Sequence, residues 1–159
     1  MNGTKLVKIT EDQFLLEREI QKLTETNLQE IFELDFVKTE FELHGLRIDT
    51  LAFDKKSNAF VIIEYNKDRN FFVIDQGVAY LNLMHNNKAD FVLEYNKRST
   101  HQLRRKDVDW SQSRIIFVSS ALMKNQQYPR GFKDLGVELW EVHKYTNSLI
   151  GFDEMKTFI

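Results

Sequence analysis

No cysteine occurs in the 159 residues, so a disulfide framework, a thiolate zinc site and a cysteine nucleophile are all excluded. Proline occurs once, at Pro129, and glycine six times, so helices and strands can run long and no Pro/Gly linker divides the chain. No stretch approaches the roughly 18 to 20 apolar residues of a membrane span. The N-terminus, Met1-Asn2-Gly3-Thr4-Lys5-Leu6-Val7-Lys8-Ile9, has no apolar run long enough for a signal peptide. The expectation is a cytoplasmic protein with no membrane partner. Charge of one sign is missing too. The chain has 22 basic against 24 acidic side chains, a net of −2, which argues against coating of nucleic acid by bulk electrostatics but leaves room for a local patch. There is no Gly-rich phosphate loop, which excludes P-loop nucleotide hydrolysis. His44, His85, His101 and His143 are scattered without metal-ligand spacing, and Ser119-Ser120 lacks the glycines of a nucleophile elbow.

What is present is aromatic bulk: 13 Phe, five Tyr and two Trp, enough for one real core in a single domain spanning residues 1–159. Trp110 and Trp140 read as core residues rather than base-stacking platforms. Charge is unevenly placed. From Glu11 to Glu42 there are ten acids and three bases, whereas Asn96 to Lys106 holds five bases and no acid. That basic block (Lys97, Arg98, Arg104, Arg105, Lys106) lies in the polar stretch Asn96 to Asp109, which reads as flexible. It is either a solvated loop or a phosphate-contacting one.

Phe14, Leu15, Ile20, Leu23, Leu28, Ile31 and Phe32 recur at helical spacing, with Thr10 as the expected N-cap. Strands follow at Asp35–Leu43 and Leu46–Phe53, separated by a His44-Gly45 turn. After the turn cluster Asp54 to Asn58, Ala59–Asn66 is a near-continuous apolar strand of the kind covered on both faces. A second helix is expected over roughly Phe71 to Asn87, and Ala89–Tyr95 is ambiguous. Ile115–Ser119 is a buried strand, Ala121–Asp134 loop or short helix, Val137–Val142 a strand, with a closing hairpin around Asn147-Ser148. The order α-β-β-β-α-β predicts an α/β fold, a mixed sheet flanked by helices.

One constellation carries chemistry. Residues two apart in a strand share a face, so Glu64 and Asn66 point the same way. If the hairpin turn centres on Lys56-Ser57, residues whose numbers sum to 113 oppose one another, and Asp49 meets Glu64. Two carboxylates on adjacent strands in apolar surroundings repel unless a cation sits between them. Oxygen-only ligands suit a hard cation, Mg²⁺ or Mn²⁺. Gln76 and Tyr80 fall on one face of the following helix.

Asp49, then Glu64-Tyr65-Asn66, resembles the Asp-(spacer)-Glu-x-Lys signature of the PD-(D/E)XK nuclease superfamily. Gly45-Leu46-Arg47-Ile48-Asp49-Thr50-Leu51-Ala52-Phe53-Asp54 is similar to the corresponding strand of its NucS-like branch and of uncharacterised bacterial relatives. Leu16-Glu17-Arg18-Glu19-Ile20, with Asn27-Leu28, resembles their first helix. Gln76-Gly77-Val78-Ala79-Tyr80 matches the Q-x-x-x-Y motif of RecB-like members. The resemblance implies a restriction-endonuclease-like fold and metal-dependent hydrolysis of DNA phosphodiesters. Asp49, Glu64 and the Tyr65 carbonyl would hold the cation, assisted by Glu17, with Glu19 as its substitute. Gln76 and Tyr80 would steady the phosphate, and Arg47 would contact the backbone. The family lysine is Asn66 here, an uncharged residue that can position a water by hydrogen bonding. Lys67 is adjacent but aimed at the opposite face unless a bulge turns it toward the nucleic acid.

Three readings therefore stand. One is a metal-dependent nuclease acting on DNA or RNA, as a monomer or a homodimer. The second is a degenerate member that binds nucleic acid or a protein partner without cutting. The third is an accessory subunit or inhibitor that acts by occupying another protein's site, where the acid-rich first third suits a nucleic-acid mimic and an ordinary solvated helix equally well.

Overall fold

In the computed structural model, the described residues are 3–13, 16–66, 73–120 and 135–155, with residues 66, 73 and 74 described by backbone alone. The elements in chain order are β1 (Glu11–Asp12), α1 (Glu17–Thr26), α2 (Leu28–Phe32), β2 (Asp35–Leu43), β3 (Leu46–Asp54), β4 (Ala59–Asn66), α3 (Val73–Asn86), α4 (Lys88–Arg98), β5 (Arg114–Ser119), β6 (Val137–Tyr145) and β7 (Ile150–Glu154), with two short 3₁₀ turns between α4 and β5. One mixed sheet runs β1-β6-β5-β4-β3-β2, and β7 also pairs with β6. The β4–β5 and β5–β6 pairs are parallel, and the others are antiparallel.

The local chemistry explains the hairpins. His44 and Gly45 both adopt left-handed φ, 50° and 79°, as a two-residue turn between right-twisted strands requires. The β3–β4 turn is held by the Lys56 amide donating to Asp54 Oδ1 at 2.9 Å, with Asn58 left-handed. Its ladder pairs Thr50 with Ile63 through Asp54 with Ala59, every pair summing to 113 as the turn centre predicts.

β4 lies at the centre of the sheet. Its residues from Ala59 to Ile63 are completely buried because both faces are covered, which is why the strand reads as an unbroken apolar run. On one face α3 and α4 contribute Tyr80, Met84, Phe91 and Tyr95 against Phe53, Phe60, Ile62, Ile115 and Phe117. On the other, α1 and α2 contribute Ile20 and Leu28 against Val61, Ile63, Tyr65, Ile116 and Val118. Gly77 lets α3 come down on the sheet. A Cβ there would lie 3.3 Å from Val137 Cγ2 and 3.6 Å from Phe117 Cε2.

Several expectations are corrected. Thr10 does not cap α1. Its amide donates to Thr146 Oγ1 at 3.3 Å and its carbonyl accepts from the Thr146 amide at 2.9 Å, so it belongs to the sheet edge. α1 begins at Glu17 with no side-chain cap, and Glu17 and Glu19 in the first turn offset the helix dipole. Phe14, Leu15, Phe71, Phe72 and the stretch 121–134 lie outside the described residues. Ala89–Tyr95 is helical, burying Phe91, Val92 and Tyr95. The stretch after α4 is pinned rather than loose. Asn96 clasps Leu103, donating to its carbonyl at 3.0 Å and accepting from its amide at 2.8 Å. Trp110 stacks on Phe60, and Trp140 packs edge-on to Phe32.

Gly136, at the entry to β6, has φ of 74°, and a Cβ there would lie 2.8 Å from the Ser113 carbonyl oxygen. Its own carbonyl accepts the Ile115 amide at 2.7 Å, so the backbone has little room to shift. Gly136→Ala is expected to cost about 2–3 kcal/mol in urea denaturation through combined strain and overpacking. A loss below about 0.5 kcal/mol would show that this approach is not rigid.

Candidate functional site

The β3–β4 ladder gives way at its open end, and side chains take over. The Asp49 amide donates to Glu64 Oε1 at 3.2 Å, and the Tyr65 amide donates to Asp49 Oδ2 at 3.2 Å. Each carboxylate thus closes a backbone group of the opposite strand, and the predicted Asp49/Glu64 encounter is present. Glu64 is only 4% exposed. Burial, and then the adjacent Asp49, push its carboxyl up to about 9 from an ordinary 4.5, so it keeps its proton at neutral pH.

α3 closes the site from above. The Tyr80 hydroxyl donates to the Arg47 carbonyl at 2.8 Å, tying the helix to the start of β3. Burial, and then the Glu64 charge, push that phenol up to about 12. Tyr80 is therefore held beside the carboxylate end of β3, and Gln76 lies one helical turn before it on α3. The Arg47 side chain is exposed at the same end. Asn66 ends β4 in register with Ser119 of β5, two residues beyond Glu64, and its side chain lies outside the described set, as does Lys67.

Glu17 is exposed at the first position of α1, one turn before Gln21 on the same side of the helix. Glu19 pairs with Lys144 at 3.1 Å. Among the described residues, no group of three or more His, Cys, Asp or Glu gathers where a metal ion could be held, so neither acid joins Asp49 and Glu64 as a third carboxylate. The donor set at this end is thus two carboxylates and the Tyr65 carbonyl, all oxygen. Mg²⁺ and Mn²⁺ suit it, because such ions keep several waters beside one or two carboxylates.

The basic block is elsewhere. The Asp109 amide donates to the Asn58 carbonyl at 2.7 Å, which sets the segment after α4 against the β3–β4 turn. Asn58 and Glu64 are six residues apart along the strand, about 20 Å at ~3.3 Å per residue. Several of the bases are also engaged locally. Lys97 pairs with Glu94, Arg104 with Asp107, and Arg98 lies 4.6 Å over the Phe36 ring. The structure does not bring Lys97, Arg98, Arg104, Arg105 or Lys106 to the carboxylates.

Sequence reasoning missed a polar cluster behind the site. Gln21 Nε2 donates to the Asp49 carbonyl at 3.0 Å and to Thr39 Oγ1 at 3.3 Å. Thr50 Oγ1 donates to Glu25 Oε2 at 2.9 Å and lies 2.9 Å from the Tyr65 hydroxyl. The available signal was Thr50 between the apolar Ile48 and Leu51, with Gln21 and Glu25 one helical turn apart beside the buried Ile20 and Thr24.

No family model matches the chain. It is 49% identical over 146 residues to an uncharacterised protein of Haemophilus influenzae, covering 92% of this chain but 48% of that protein. Among solved structures it is similar to EndoMS in complex with double-stranded DNA, at TM-score 0.52 and 16% identity over 80% of this chain and 46% of that one. It is likewise similar to EndoMS in its apo form, at TM-score 0.50 and 18% identity over 82% of this chain and 47% of that one. The chain thus spans about half the length of the proteins it matches. No helix among the described residues is long and apolar enough to cross a membrane. In fold, this chain is mixed α/β, a central mixed sheet flanked by helices, similar to that of EndoMS.

Proposed function

We propose that the chain is a metal-dependent nuclease domain that hydrolyses DNA phosphodiester bonds, with catalysis weakened by asparagine at position 66. The observation that carries this reading is the reciprocal Asp49/Glu64 pair at the open end of the central hairpin. A carboxyl kept protonated by burial, and then by a second carboxylate beside it, is poorly explained as a stability device, because both groups are costly to desolvate. It is the arrangement expected where a divalent cation replaces the proton.

Asp49, Glu64 and the Tyr65 carbonyl would hold Mg²⁺ or Mn²⁺. Such a cation, when bound, supplies charge to a phosphate oxygen and acidifies a water. The chain's own residues do the rest. Tyr80 keeps its proton and stays fixed on the Arg47 carbonyl, so its ring walls the site while Gln76 offers an amide to a phosphate oxygen. Arg47, exposed beside that anchor, is placed to pair with the nucleic-acid backbone. Asn66 can orient a water but adds no positive charge. The likeness to a DNA-bound EndoMS structure favours DNA over RNA.

The test is a Mg²⁺ and Mn²⁺ titration of supercoiled plasmid and single-stranded DNA, with Asp49→Asn beside the wild type and an EDTA control. Metal-dependent nicking that falls at least about 100-fold in Asp49→Asn is the expected result. A wild type that neither cuts DNA nor gains melting temperature with either metal would sink the proposal. Asn66 itself favours a second reading, a degenerate domain that retains DNA or a protein partner without cutting it. Metal-dependent DNA retention in a mobility shift, with no cleavage, is the outcome that selects it.

A further inference from the structure

Asp49, Thr50 and Tyr65, two of them proposed cation ligands, are fastened from behind by α1, directly or through Thr50. Gln21 and Glu25 are one helical turn apart, so they face the sheet together. Gln21 reaches the Asp49 carbonyl and also Thr39 of the edge strand. Thr39 pairs with Thr50, Phe41 pairs with Ile48, and Glu40 between them is left-handed at φ 49°. The edge strand is therefore irregular where it passes Asp49, and a helix side chain holds the Asp49 carbonyl there.

Glu25 reaches the neighbouring strand residue. Thr50 has one hydroxyl proton, and it goes to the Glu25 carboxylate. The contact between Thr50 and Tyr65 must then be donated by the Tyr65 hydroxyl. The result is a directed chain, Tyr65 to Thr50 to Glu25, that crosses from β4 to β3 to α1 inside the protein. Tyr65 is 3% exposed and Thr50 fully buried, so water does not compete for these bonds. Gln21 thus fixes the main chain of Asp49, and Glu25 fixes through its chain the residue whose carbonyl is the third proposed ligand.

We infer that Gln21 and Glu25 are positioning residues for the cation site, setting the spacing of Asp49 and the Tyr65 carbonyl from the far face of the sheet. The inference rests on the cation site proposed above. Groups that orient ligands through a hydrogen bond typically change metal affinity by about 10- to 100-fold when removed.

The experiment is Mn²⁺ binding to the full chain, by calorimetry and by the Mn²⁺ electron paramagnetic resonance line shape, without DNA. The set comprises wild type, Asp49→Asn, Gln21→Met, Gln21→Lys and Tyr65→Phe, with melting temperatures in EDTA. Gln21→Met keeps the length of the side chain and loses its donor, whereas Gln21→Lys keeps a donor. The expected result is Mn²⁺ affinity lowered about tenfold or more in Gln21→Met and Tyr65→Phe, an altered line shape, recovery in Gln21→Lys, and little change in EDTA melting. Wild-type affinity and line shape in both Gln21→Met and Tyr65→Phe, with Asp49→Asn unable to bind, would overturn the inference while leaving the cation site intact. No Mn²⁺ binding by the wild type, or equal binding by Asp49→Asn, would overturn both. If Gln21→Met does not fold, Tyr65→Phe, which removes a single oxygen, decides alone.

Discussion

Replacing Glu64 with glutamine is expected to stabilise the metal-free protein at neutral and alkaline pH while removing its response to Mg²⁺ and Mn²⁺. The folded protein holds the Glu64 proton up to about pH 9, whereas the unfolded chain releases it near 4.5. Below 4.5 both states carry the proton and the group has no pH-dependent effect. Between the two values the unfolded state gains by ionising and the folded state does not, so stability falls as pH rises and levels off above about 9. At pH 7 the accumulated cost is about 3 kcal/mol. Glutamine cannot ionise, and its Oε1 can still accept the Asp49 amide. Glu64→Gln should therefore melt roughly 5–10 °C above the wild type in EDTA at about pH 7–8. Its melting curve should also be flatter between about pH 5 and pH 9. Adding Mn²⁺ should raise the wild-type melting temperature and leave the variant where it is. Calorimetric melting over that pH range checks both parts. A Glu64→Gln variant that melts below the wild type at about pH 8 would show that the native carboxyl is ionised and already stabilised there.

Asn66→Lys is expected to raise metal-dependent DNA cleavage by about 100-fold or more, the scale on which a positioned proton-transfer group acts. Residue 66 closes β4, in register with Ser119 and two residues beyond Glu64. An ammonium there would add the positive charge that asparagine lacks, close to where an attacked phosphate must lie if Asp49 and Glu64 hold the cation. Single-turnover nicking of plasmid DNA reports the change, and Asp49→Asn combined with Asn66→Lys should return to background. An increase from an inactive starting point would identify the natural chain as a binding domain with an otherwise competent site. No increase, in a variant that still binds Mn²⁺ as the wild type does, would show that charge at this position is not what limits cleavage.

Much of this arrangement is readable from residues. The His44-Gly45 turn and the Lys56-Ser57 turn centre set the register, and the register alone brings Asp49 to Glu64. β4 is legible because burial on both faces leaves an apolar run. α4 is less so, because Phe91, Val92 and Tyr95 suit a strand as well as a helix, and packing against β2 and the neighbouring helix decides. β1 has two residues and depends on a partner more than 130 positions away, which no local pattern reveals. The position of the basic block is hidden for the same reason. Its distance from the carboxylates depends on a tertiary contact, Asp109 on Asn58, that the charge pattern does not contain. The Gln21 and Glu25 contacts were hidden because polar residues on an acid-rich helix read as solvated until the helix is docked on the sheet.

The crossed bonds between the two carboxylates and the opposing amides bear on how such a chain can diverge. Asp49 and Glu64 terminate the hairpin whatever else they bind, so truncation of either leaves a buried amide without a partner. A lineage released from the demand for catalysis would still be held by that second role. Asparagine and glutamine satisfy it without the cost of a buried charge, whereas alanine does not. Drift at these two positions is therefore channelled toward amides, and a retired site of this kind would keep the outline of its acidic pair long after its chemistry had gone.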